Sequence, residues 1–272
     1  MRTKDHKNLR IFRTVLLAID IGNSNTVIGI FERKKLTDFF RLSTRHSLTV
    51  DECGLLADQL LSRRKKKIEG IVICSVVPSL TPVYQEMSQK HLKIEPVIVD
   101  PQLPLGMKIL YDDPAQVGAD RLANAVAAYR IYGGPVIVVD LGTAITFDVV
   151  SEKGEYLGGA ISPGLESSMD SLLHRAAQLS KIDFRKPKDV IGKSTAESLR
   201  SGFFYGTLGQ IDELVKRIKR KIGGVVKVVA TGGLAELIAS ESKTIGKIDP
   251  TLTLKGLNII YNRIKEERSG EI

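Results

Sequence analysis

The sequence predicts an α/β protein built from two similar halves with a cleft between them. The main evidence is two stretches, "VLLAIDIGNSNTVIGIFE" (residues 15–32) and "PVIVVDLGTAITFDVVSEKG" (residues 135–154), because each breaks an apolar strand with an acid. The two acids, Asp20 and Asp140, are each followed by Gly two places on and by Thr six places on. A chain of 272 residues is also long enough for two domains of about 100 to 150 residues, each with its own core.

Hydrophobic periodicity predicts the order βββαβαβ for the first half. Three short strands come first, and a helix, a buried strand, a second helix and a last strand follow them. The predicted strands are "VLLAID", "TVIGIFE", "LTDFFRLS", "GIVICSVVP" and "EPVIVD", and the predicted helices cover residues 50–62 and 80–91.

The second half opens in the same way, with three strands and a Lys-Gly turn before the third. Four helices and one more strand follow. The predicted strands are "PVIVVD", "AITFDVVSE", "EYLGGAIS" and "VVKVVATGG", and the predicted helices cover residues 163–179, 195–221, 234–240 and 254–267. The boundary is expected within or just after the helix "DRLANAVAAYRIYGG", whose glycines favour a helix end. The predicted domains are therefore residues 15–128 and 129–272.

The composition is that of a soluble globular protein, with 43% hydrophobic and 26% charged residues. No apolar run approaches the roughly 20 residues that cross a bilayer. The first residues, "MRTKDHKNLRIFRT", are basic but lack the apolar segment and cleavage site of a secretory signal. These observations predict a cytoplasmic protein without a membrane partner.

The formal net charge of +9 raises the question of nucleic-acid binding. However, the chain has no Trp, and no ladder of aromatic residues lies beside its basic residues. The run "RRKKK" (residues 63–67) is interpreted as a solvated helix end, where cations meet the negative end of the dipole. No nucleic-acid partner is expected. The two cysteines, Cys53 and Cys74, lack metal-ligand spacing and are interpreted as reduced core residues.

The duplicated turn has a chemistry suited to phosphate. Gly22 and Gly142 lack side chains, so backbone N–H groups can approach an anion closely. The polar residues 23–26 add neutral donors. Asp20 repels phosphate by itself, and its expected role is to hold a divalent cation, directly or through water. The alternative is that both segments are ordinary tight turns, but two matching copies argue against it.

The paired hairpins resemble the phosphate-1 and phosphate-2 loops of the superfamily of acetate and sugar kinases, heat-shock protein 70 and actin (ASKHA). The stretch "ATGG" (residues 230–233), after a strand and before a helix, looks like the adenosine motif of that superfamily. The resemblance implies an actin/hexokinase-like fold, that is, two ribonuclease-H-like domains with an interdomain cleft.

A narrower resemblance is to the type III pantothenate kinases, from about Val15 to the C-terminus. The motifs that carry it, in the family's order and spacing, are "AIDIGNSNT", "YDDPAQVGADRLANAVAAY", "DLGTAITFD", "GGAISPGLESSMDSL", "VIGKSTAESLRSGFFYG" and "ATGG". The resemblance implies ATP-dependent phosphorylation of pantothenate to 4'-phosphopantothenate, the first step of coenzyme A biosynthesis. It also implies Mg²⁺, a monovalent cation (K⁺ or NH₄⁺) and a homodimer that completes the pocket. Family chains usually begin just before "LLAID", so residues 1–14 are interpreted as an N-terminal extension.

The same resemblance implies roles for individual residues. Asp120 would be the base that accepts the proton of the attacking hydroxyl. Asp140 would hold the monovalent cation, and Asp20 would hold Mg²⁺. The implied pantothenate-binding residues are Tyr111, Gly118, Ala119, Asp120, Arg121 and Thr195, with the Arg121 fork suited to the substrate carboxylate. The implied ATP-binding residues are Asp20, Ile21, Gly22, Asn23, Ser24, Asn25, Thr26, Val27 and Thr143.

Several of these residues also have structural interpretations. Asp120 fits a helix N-cap, and this role is compatible with catalysis. Asp140 could bond the N–H groups of its own turn, and Tyr111 could be an aromatic residue at the edge of the core. Ser194 and Glu197 have the spacing of a capping box, which leaves Thr195 at the first helical position.

Two other functions remain open at this point. One is another small-molecule kinase or phosphohydrolase of the same superfamily, against which the "GADR" cluster with Tyr111 argues. The other is a non-catalytic nucleotide-binding regulator, such as a transcriptional accessory factor, against which Asp120 and the lack of a helix-turn-helix signal argue. One local departure from the family pattern is His174 and Arg175, which stand where a Thr-Ala segment followed by Leu-Pro is more usual.

Overall fold

The computed structural model describes residues 14–61, 67–175 and 183–270. Residues 1–13 of the predicted N-terminal extension and residues 63–66 of the basic run lie outside the described residues. Packing divides the described residues into two compact units, with the division between Ile98 and Val99.

The first unit contains one five-stranded sheet with two helices. Its elements are β1 (Thr14–Ile21), β2 (Asn25–Glu32), β3 (Lys35–Ser43), α1 (Val50–Leu61), β4 (Lys67–Ser75), α2 (Thr81–Lys90) and β5 (Val97–Ile98). The strand order is β3-β2-β1-β4-β5. β1, β2 and β3 are antiparallel neighbours, whereas β4 runs parallel to β1 and β5 runs parallel to β4. The predicted order βββαβαβ is confirmed.

The second unit repeats this plan and adds helices. Its elements are α3 (Ala119–Tyr132), β6 (Val136–Leu141), β7 (Ala144–Val150), β8 (Tyr156–Pro163), α4 (Leu165–Arg175), α5 (Thr195–Ile222), β9 (Lys227–Thr231), α6 (Ala235–Ala239), β10 (Lys247–Ile248) and α7 (Leu252–Ser269). The strand order is β10-β9-β6-β7-β8. β6, β7 and β8 are antiparallel neighbours, and β9 and β10 continue in parallel from β6. The five strands therefore correspond one by one to β1–β5, which confirms the predicted duplication.

Each acid-bearing strand lies at the centre of its sheet. β1 has neighbours on both sides, and so does β6, so these strands are almost wholly apolar and buried until they reach their acids. The core of the first unit includes Cys53 of α1 and Tyr84 and Met87 of α2, together with residues of the sheet. Cys53 and Cys74 are both buried thiols that form no disulfide, as predicted.

Four features differ from the sequence-based prediction or extend it. A short 3-10 helix (Pro114–Gln116) and the two-residue strand β10 were missed, because neither is long enough to show periodicity. The strand predicted as "EPVIVD" is reduced to two residues. α4 is described over Leu165–Arg175, and the rest of the helix predicted to residue 179 lies outside the described residues.

Helix α3 belongs to the second unit, where it packs along α7. The two backbones are so close that a Cβ on Gly256 of α7 would lie 2.0 Å from the carbonyl oxygen of Ala123 in α3. The boundary predicted at residues 128/129 lies inside this helix and stays a prediction. In the part of the chain that the structure describes, no helix has both the length and the hydropathy to span a bilayer.

Candidate active site

The turn between β1 and β2 presents polar residues at the end of the central strand. The Gly22 N–H donates to the Asn25 carbonyl oxygen at 3.0 Å, which closes the turn. A Cβ at position 22 would lie 2.9 Å from that same oxygen, so the tight closure requires glycine. Asn23 and Ser24 are exposed. The turn can therefore offer side-chain donors to a ligand in solvent.

Thr44, which follows β3, stabilises this turn through hydrogen bonds. Its N–H donates to the Ser24 carbonyl at 3.0 Å, and its hydroxyl donates to the Gly22 carbonyl at 2.7 Å. The Thr26 hydroxyl lies 3.0 Å from the Thr44 hydroxyl, and Thr26 is only 1% exposed. Thr26, which the resemblance assigned to ATP, thus supports the turn from inside, and its direct role stays a prediction. Sequence reasoning missed Thr44, since it is distant along the chain.

Asp20 is oriented by the neighbouring strand β4. Its Oδ1 accepts a hydrogen bond from the Cys74 thiol at 3.2 Å, because Cys74 lies directly beside it in the parallel register. The Val76 N–H donates to the Ile21 carbonyl at 3.0 Å and extends this pairing beyond the end of the strand. Cys74, interpreted from sequence as a core residue, is buried and also contacts the acid of the turn.

The second hairpin has an equivalent turn. The Gly142 N–H donates to the Ala144 carbonyl at 3.1 Å and closes this turn as Gly22 closes the first, although the second turn is one residue shorter. Asp140 lies at the end of β6, and its Oδ2 accepts from the Asn124 side-chain amide at 2.9 Å. Asn124 belongs to α3 and is fully buried. This residue was not predicted, because its partner lies on a different element.

The "ATGG" turn packs directly on this acid. Gly232 has a φ of +95°, and a Cβ there would lie 2.5 Å from Asp140 Oδ1 and 2.6 Å from the Leu141 carbonyl oxygen. The Leu234 N–H, in turn, points to the Leu141 carbonyl at 3.4 Å. The sequence motif that resembles an adenosine loop thus lies against the second hairpin within one unit.

Gly232→Ala is expected to lower the free energy of unfolding by at least about 1 kcal/mol, because L-residues avoid this φ and the added Cβ overlaps the Asp140 carboxylate. The matched control is Gly209→Ala in α5, where a Cβ would meet no atom within 4 Å. That control should be neutral or stabilising by about 0.5 to 1 kcal/mol, since Ala favours helix. Urea denaturation measures both. Equal stabilities of Gly232→Ala and the wild type would contradict the close contact with Asp140.

Thr143 lies in the turn of the second hairpin with its side chain exposed. Its carbonyl oxygen accepts from the Gly164 N–H at 3.1 Å and from the Ser167 hydroxyl at 2.9 Å, at the start of α4. The backbone is therefore fixed while the side chain faces solvent, which is compatible with the predicted contact to ATP.

Asp120 lies in the first turn of α3 and is not its N-cap. Gly118 is the N-cap, without a side-chain bond, so the interpretation of Asp120 as a cap is wrong. The Asp120 Oδ1 accepts from the Arg121 N–H at 2.7 Å. Burial raises the pKa of Asp120, and this effect outweighs the lowering by the Arg121 N–H; the nearby Asp148 charge adds to the increase. A carboxylate with raised basicity is suited to accept a proton.

Arg121 forms a buried ion pair with Asp148 of β7. Its Nε and Nη2 atoms both lie 2.7 Å from Asp148 Oδ1. Asp148 is fully buried and also accepts from the Tyr156 hydroxyl at 2.7 Å and from the Thr146 hydroxyl at 2.9 Å. Desolvation nevertheless raises the pKa of Asp148, although the Arg121 cation opposes the shift. Arg121, predicted from resemblance to bind the substrate carboxylate, is thus engaged by a carboxylate of its own chain, and the substrate role stays a prediction.

Tyr111 joins this cluster from the segment before α3. Its ring centroid lies 6.2 Å from that of Tyr156, at an interplanar angle of 53°. Gly158 of β8 has a φ of +103°, and a Cβ there would lie 3.2 Å from the Tyr111 ring. The structure therefore brings together Tyr111, Asp120 and Arg121, with the buried Ala119 at the first position of α3. Sequence reasoning missed Asp148 and Tyr156, and the only signal was an acid inside the apolar run "ITFDVV".

Thr195 is exposed at the first position of α5. Ser194 is the N-cap and accepts from the Glu197 N–H at 3.3 Å, as predicted. The Glu197 carboxylate instead accepts from Arg200 at 2.7 Å, so the predicted capping box is confirmed for its Ser194 bond alone. Among the described residues, no hydrogen bond joins Thr195 to the cluster of Tyr111 and Arg121. His174 is exposed in the last turn of α4, and the side chain of Arg175 lies outside the described residues.

The carboxylates that could bind a cation in this site are isolated and do not form a cluster. Within residues 14–61, 67–175 and 183–270, no group of three or more His, Cys, Asp or Glu side chains is arranged to hold a metal ion. Asp20 and Asp140 each lie at a strand end beside a glycine turn, partly exposed. Each can supply one carboxylate to a cation whose other ligands come from a substrate, backbone or water.

Comparisons with known proteins agree with these observations. A family model described as type III pantothenate kinase matches residues 16–217. The type III pantothenate kinase of Myxococcus xanthus is 48% identical over 252 residues, covering 92% of this chain and 98% of that protein. The type III pantothenate kinase of Moorella thermoacetica is 47% identical over 252 residues, covering 92% and 99%.

Solved structures share the fold at lower identity. A conserved putative Baf family transcriptional activator from Campylobacter jejuni matches with a TM-score of 0.59 and 24% identity, covering 92% of this chain and 99% of that one. The ethanolamine utilization protein EutJ from Carboxydothermus hydrogenoformans matches with a TM-score of 0.51 and 14% identity, covering 90% and 89%. These two likenesses concern the fold alone.

Proposed function

The chain belongs to the type III pantothenate kinase family, and we propose that it transfers the γ-phosphoryl group of ATP to pantothenate. The product is 4'-phosphopantothenate, and the reaction is the first step of coenzyme A biosynthesis. The observation that carries the proposal is the cluster at the start of α3. It holds Asp120, with its raised pKa, beside Arg121 in a segment covered by the family match.

Asp120 is the proposed catalytic base. It would accept the proton of the pantothenate hydroxyl as the new O–P bond forms. Phosphoryl transfer passes through a loose transition state, so holding the hydroxyl in line matters at least as much as basicity. The bond from the Arg121 N–H to Asp120 Oδ1 fixes one carboxylate oxygen and leaves Oδ2 to meet the hydroxyl. Tyr111, Gly118, Ala119, Arg121 and Thr195 are the other proposed pantothenate-binding residues.

The first hairpin, residues 20–27, and Thr143 of the second hairpin are the proposed ATP-binding groups. The exposed Asn23 and Ser24 and the glycine turn supply neutral donors for phosphate oxygens. Asp20 fits Mg²⁺, because this ion is commonly held by one or two carboxylates with the remaining oxygens from phosphates and water. When bound, Mg²⁺ would neutralise charge on the transferring phosphates.

Asp140 is the proposed ligand of a monovalent cation, K⁺ or NH₄⁺. One carboxylate oxygen is held by Asn124, and the glycine at position 232 leaves room for the other. An oxygen ligand of this kind fits a weakly hydrated cation, which would add positive charge near the ATP phosphates.

A homodimer is the proposed assembly, with Thr195 contributing to a pocket that the partner completes. Val190 and Ile191, which precede Thr195 by five and four residues along the chain, are 60% and 73% exposed, and adjacent exposed apolar residues favour burial at an interface. The cytoplasmic location and the lack of a nucleic-acid partner stay predictions.

The direct test is an assay of the wild-type protein with Mg·ATP and pantothenate. We expect ADP release that depends on pantothenate and a phosphorylated product by mass spectrometry. The rate should be much lower when Na⁺ replaces K⁺ or NH₄⁺ at equal ionic strength. If ATP binds but no pantothenate-dependent turnover occurs, the non-catalytic regulator is favoured, and equal rates in Na⁺ and K⁺ would contradict the role of Asp140.

A further inference from the structure

A chain of hydrogen bonds leads from α7 through α3 to Asp140. The Thr253 hydroxyl donates to Asn124 Oδ1 at 2.8 Å, and the Asn124 amide donates to Asp140 Oδ2 at 2.9 Å. Asn124 is fully buried and follows Asp120 by four residues, one helical turn along the same side of α3. The residue that contacts the proposed cation ligand therefore lies on the same helix as the proposed base.

The direction of these bonds is determined by the chemistry of the three groups. An ionised carboxylate can only accept, so Asn124 must present its NH₂ group to Asp140. The amide oxygen then faces the opposite way, where it needs a donor. The Thr253 hydroxyl supplies that donor and so favours a single orientation of the amide.

Close packing of α7 on α3 makes the contact between Thr253 and Asn124 possible. Gly256 lies three residues after Thr253, and its lack of a side chain allows the approach to Ala123 described above. The start of α7 is also tied down, because Lys255 and the Tyr132 hydroxyl of α3 both bind the buried Asp249, at 2.7 and 2.8 Å. The hydrogen-bond chain thus rests on a closely packed pair of helices.

We propose that Asn124 and Thr253 are positioning residues for the cation-binding carboxylate of Asp140, and that Thr253 acts by setting the orientation of the Asn124 amide. The inference rests on the proposed function, since it concerns the same cation. Asn124 holds Oδ2 in place, and Gly232 leaves space for Oδ1. The plane of the carboxylate is thereby fixed before a cation arrives, which reduces the cost of binding it.

The test compares Thr253→Val, which keeps the shape but removes the hydroxyl, with Thr253→Ser, which keeps the hydroxyl. Loss of one hydrogen bond should raise the K⁺ concentration for half-maximal activation roughly two- to tenfold in Thr253→Val. The KM for pantothenate should stay unchanged. Thr253→Ser should resemble the wild type. Thr253→Ala provides a second hydroxyl-free variant should the valine variant fail to fold.

A second readout needs no turnover. The rise in Tm caused by KCl relative to NaCl, with Mg·ADP present, should be smaller in Thr253→Val than in the wild type and Thr253→Ser. A hydroxyl-free variant with wild-type K⁺ dependence in both readouts would overturn the inference, even if its Tm without K⁺ is lower. Absence of any K⁺-dependent rise in the wild type would also overturn it. The wild type could show the K⁺-dependent rise in Tm, and Thr253→Val could lose it, while the wild type fails to phosphorylate pantothenate. In that case the proposed function fails and the inference stands.

Discussion

Asp120→Asn is expected to lower kcat for pantothenate phosphorylation by about 10²- to 10⁴-fold, the usual contribution of a positioned base. Asparagine has nearly the same shape and can still accept the Arg121 N–H through Oδ1, but it cannot take a proton. ATP affinity should be unchanged, since the proposed ATP-binding groups lie elsewhere. The measurements are steady-state kinetics and calorimetric titration with ATP, and retained turnover would remove Asp120 as the base.

The thermal stability of Asp120→Asn and the pH dependence of the wild-type rate distinguish a catalytic role of Asp120 from a structural one. The pKa of Asp120 is raised in the folded protein, so the stability linked to its protonation is present below the unfolded pKa and is lost as pH rises through the folded pKa. At neutral pH the ionised carboxylate is therefore unfavourable, and Asp120→Asn should unfold at the same temperature as the wild type or above it. The rate should fall as pH falls through the raised pKa, so the acidic limb lies above the ordinary value of about 3.9 for Asp.

The control is Glu86→Gln, which removes an acid from an exposed site on α2. It should change neither the pH profile nor the rate. An Asp120→Asn variant that unfolds at a clearly lower temperature than the wild type would indicate a structural role instead.

Asp148→Ala is expected to lower the free energy of unfolding by about 3 to 5 kcal/mol, because it leaves the Arg121 cation buried without its partner. The hydroxyls of Tyr156 and Thr146 lose their acceptor as well. The Tm should fall by roughly 10 °C for a protein of this size. Denaturant and thermal unfolding measure the change.

Two comparisons sharpen this experiment. Glu213→Gln breaks the exposed pair with Arg217 at 2.7 Å and should cost less than about 1 kcal/mol. The double variant Arg121→Met/Asp148→Leu removes both charges and should recover much of the lost stability while remaining inactive, since an apolar pair can replace a buried ion pair. If Asp148→Ala costs no more than Glu213→Gln, the buried pair is not important for folding.

The general plan of this protein could be predicted from the sequence because it depends on local patterns. The strands around Asp20 and Asp140 are apolar runs closed by glycine turns, and the predicted strands follow one another along the chain in the predicted order, with the short β10 added. The family resemblance is confirmed by the match over residues 16–217. The predicted cap at Ser194 depends only on residues within one helical turn and is also confirmed.

The partners of the site residues could not be predicted in the same way. Thr44 contacts the first turn at Gly22 across 22 residues of sequence, and Thr253 contacts Asn124, the partner of Asp140, across 129 residues. Such contacts depend on how helices and strands pack, which periodicity does not specify. Asp120 was interpreted as a cap from its place before a helical pattern. The helix instead begins two residues earlier, because Gly118 takes the extended backbone that a cap requires.

The burial of both cysteine thiols has a practical consequence for fluorescent labelling. The chain contains two cysteines, and both are buried. Burial also raises the pKa of Cys53 to about 12, so hardly any of its reactive thiolate exists in neutral buffer. A single cysteine introduced on the surface should therefore take up a maleimide dye selectively, without prior removal of the native pair. Fluorescence reporters of substrate binding can be built on the otherwise unaltered chain.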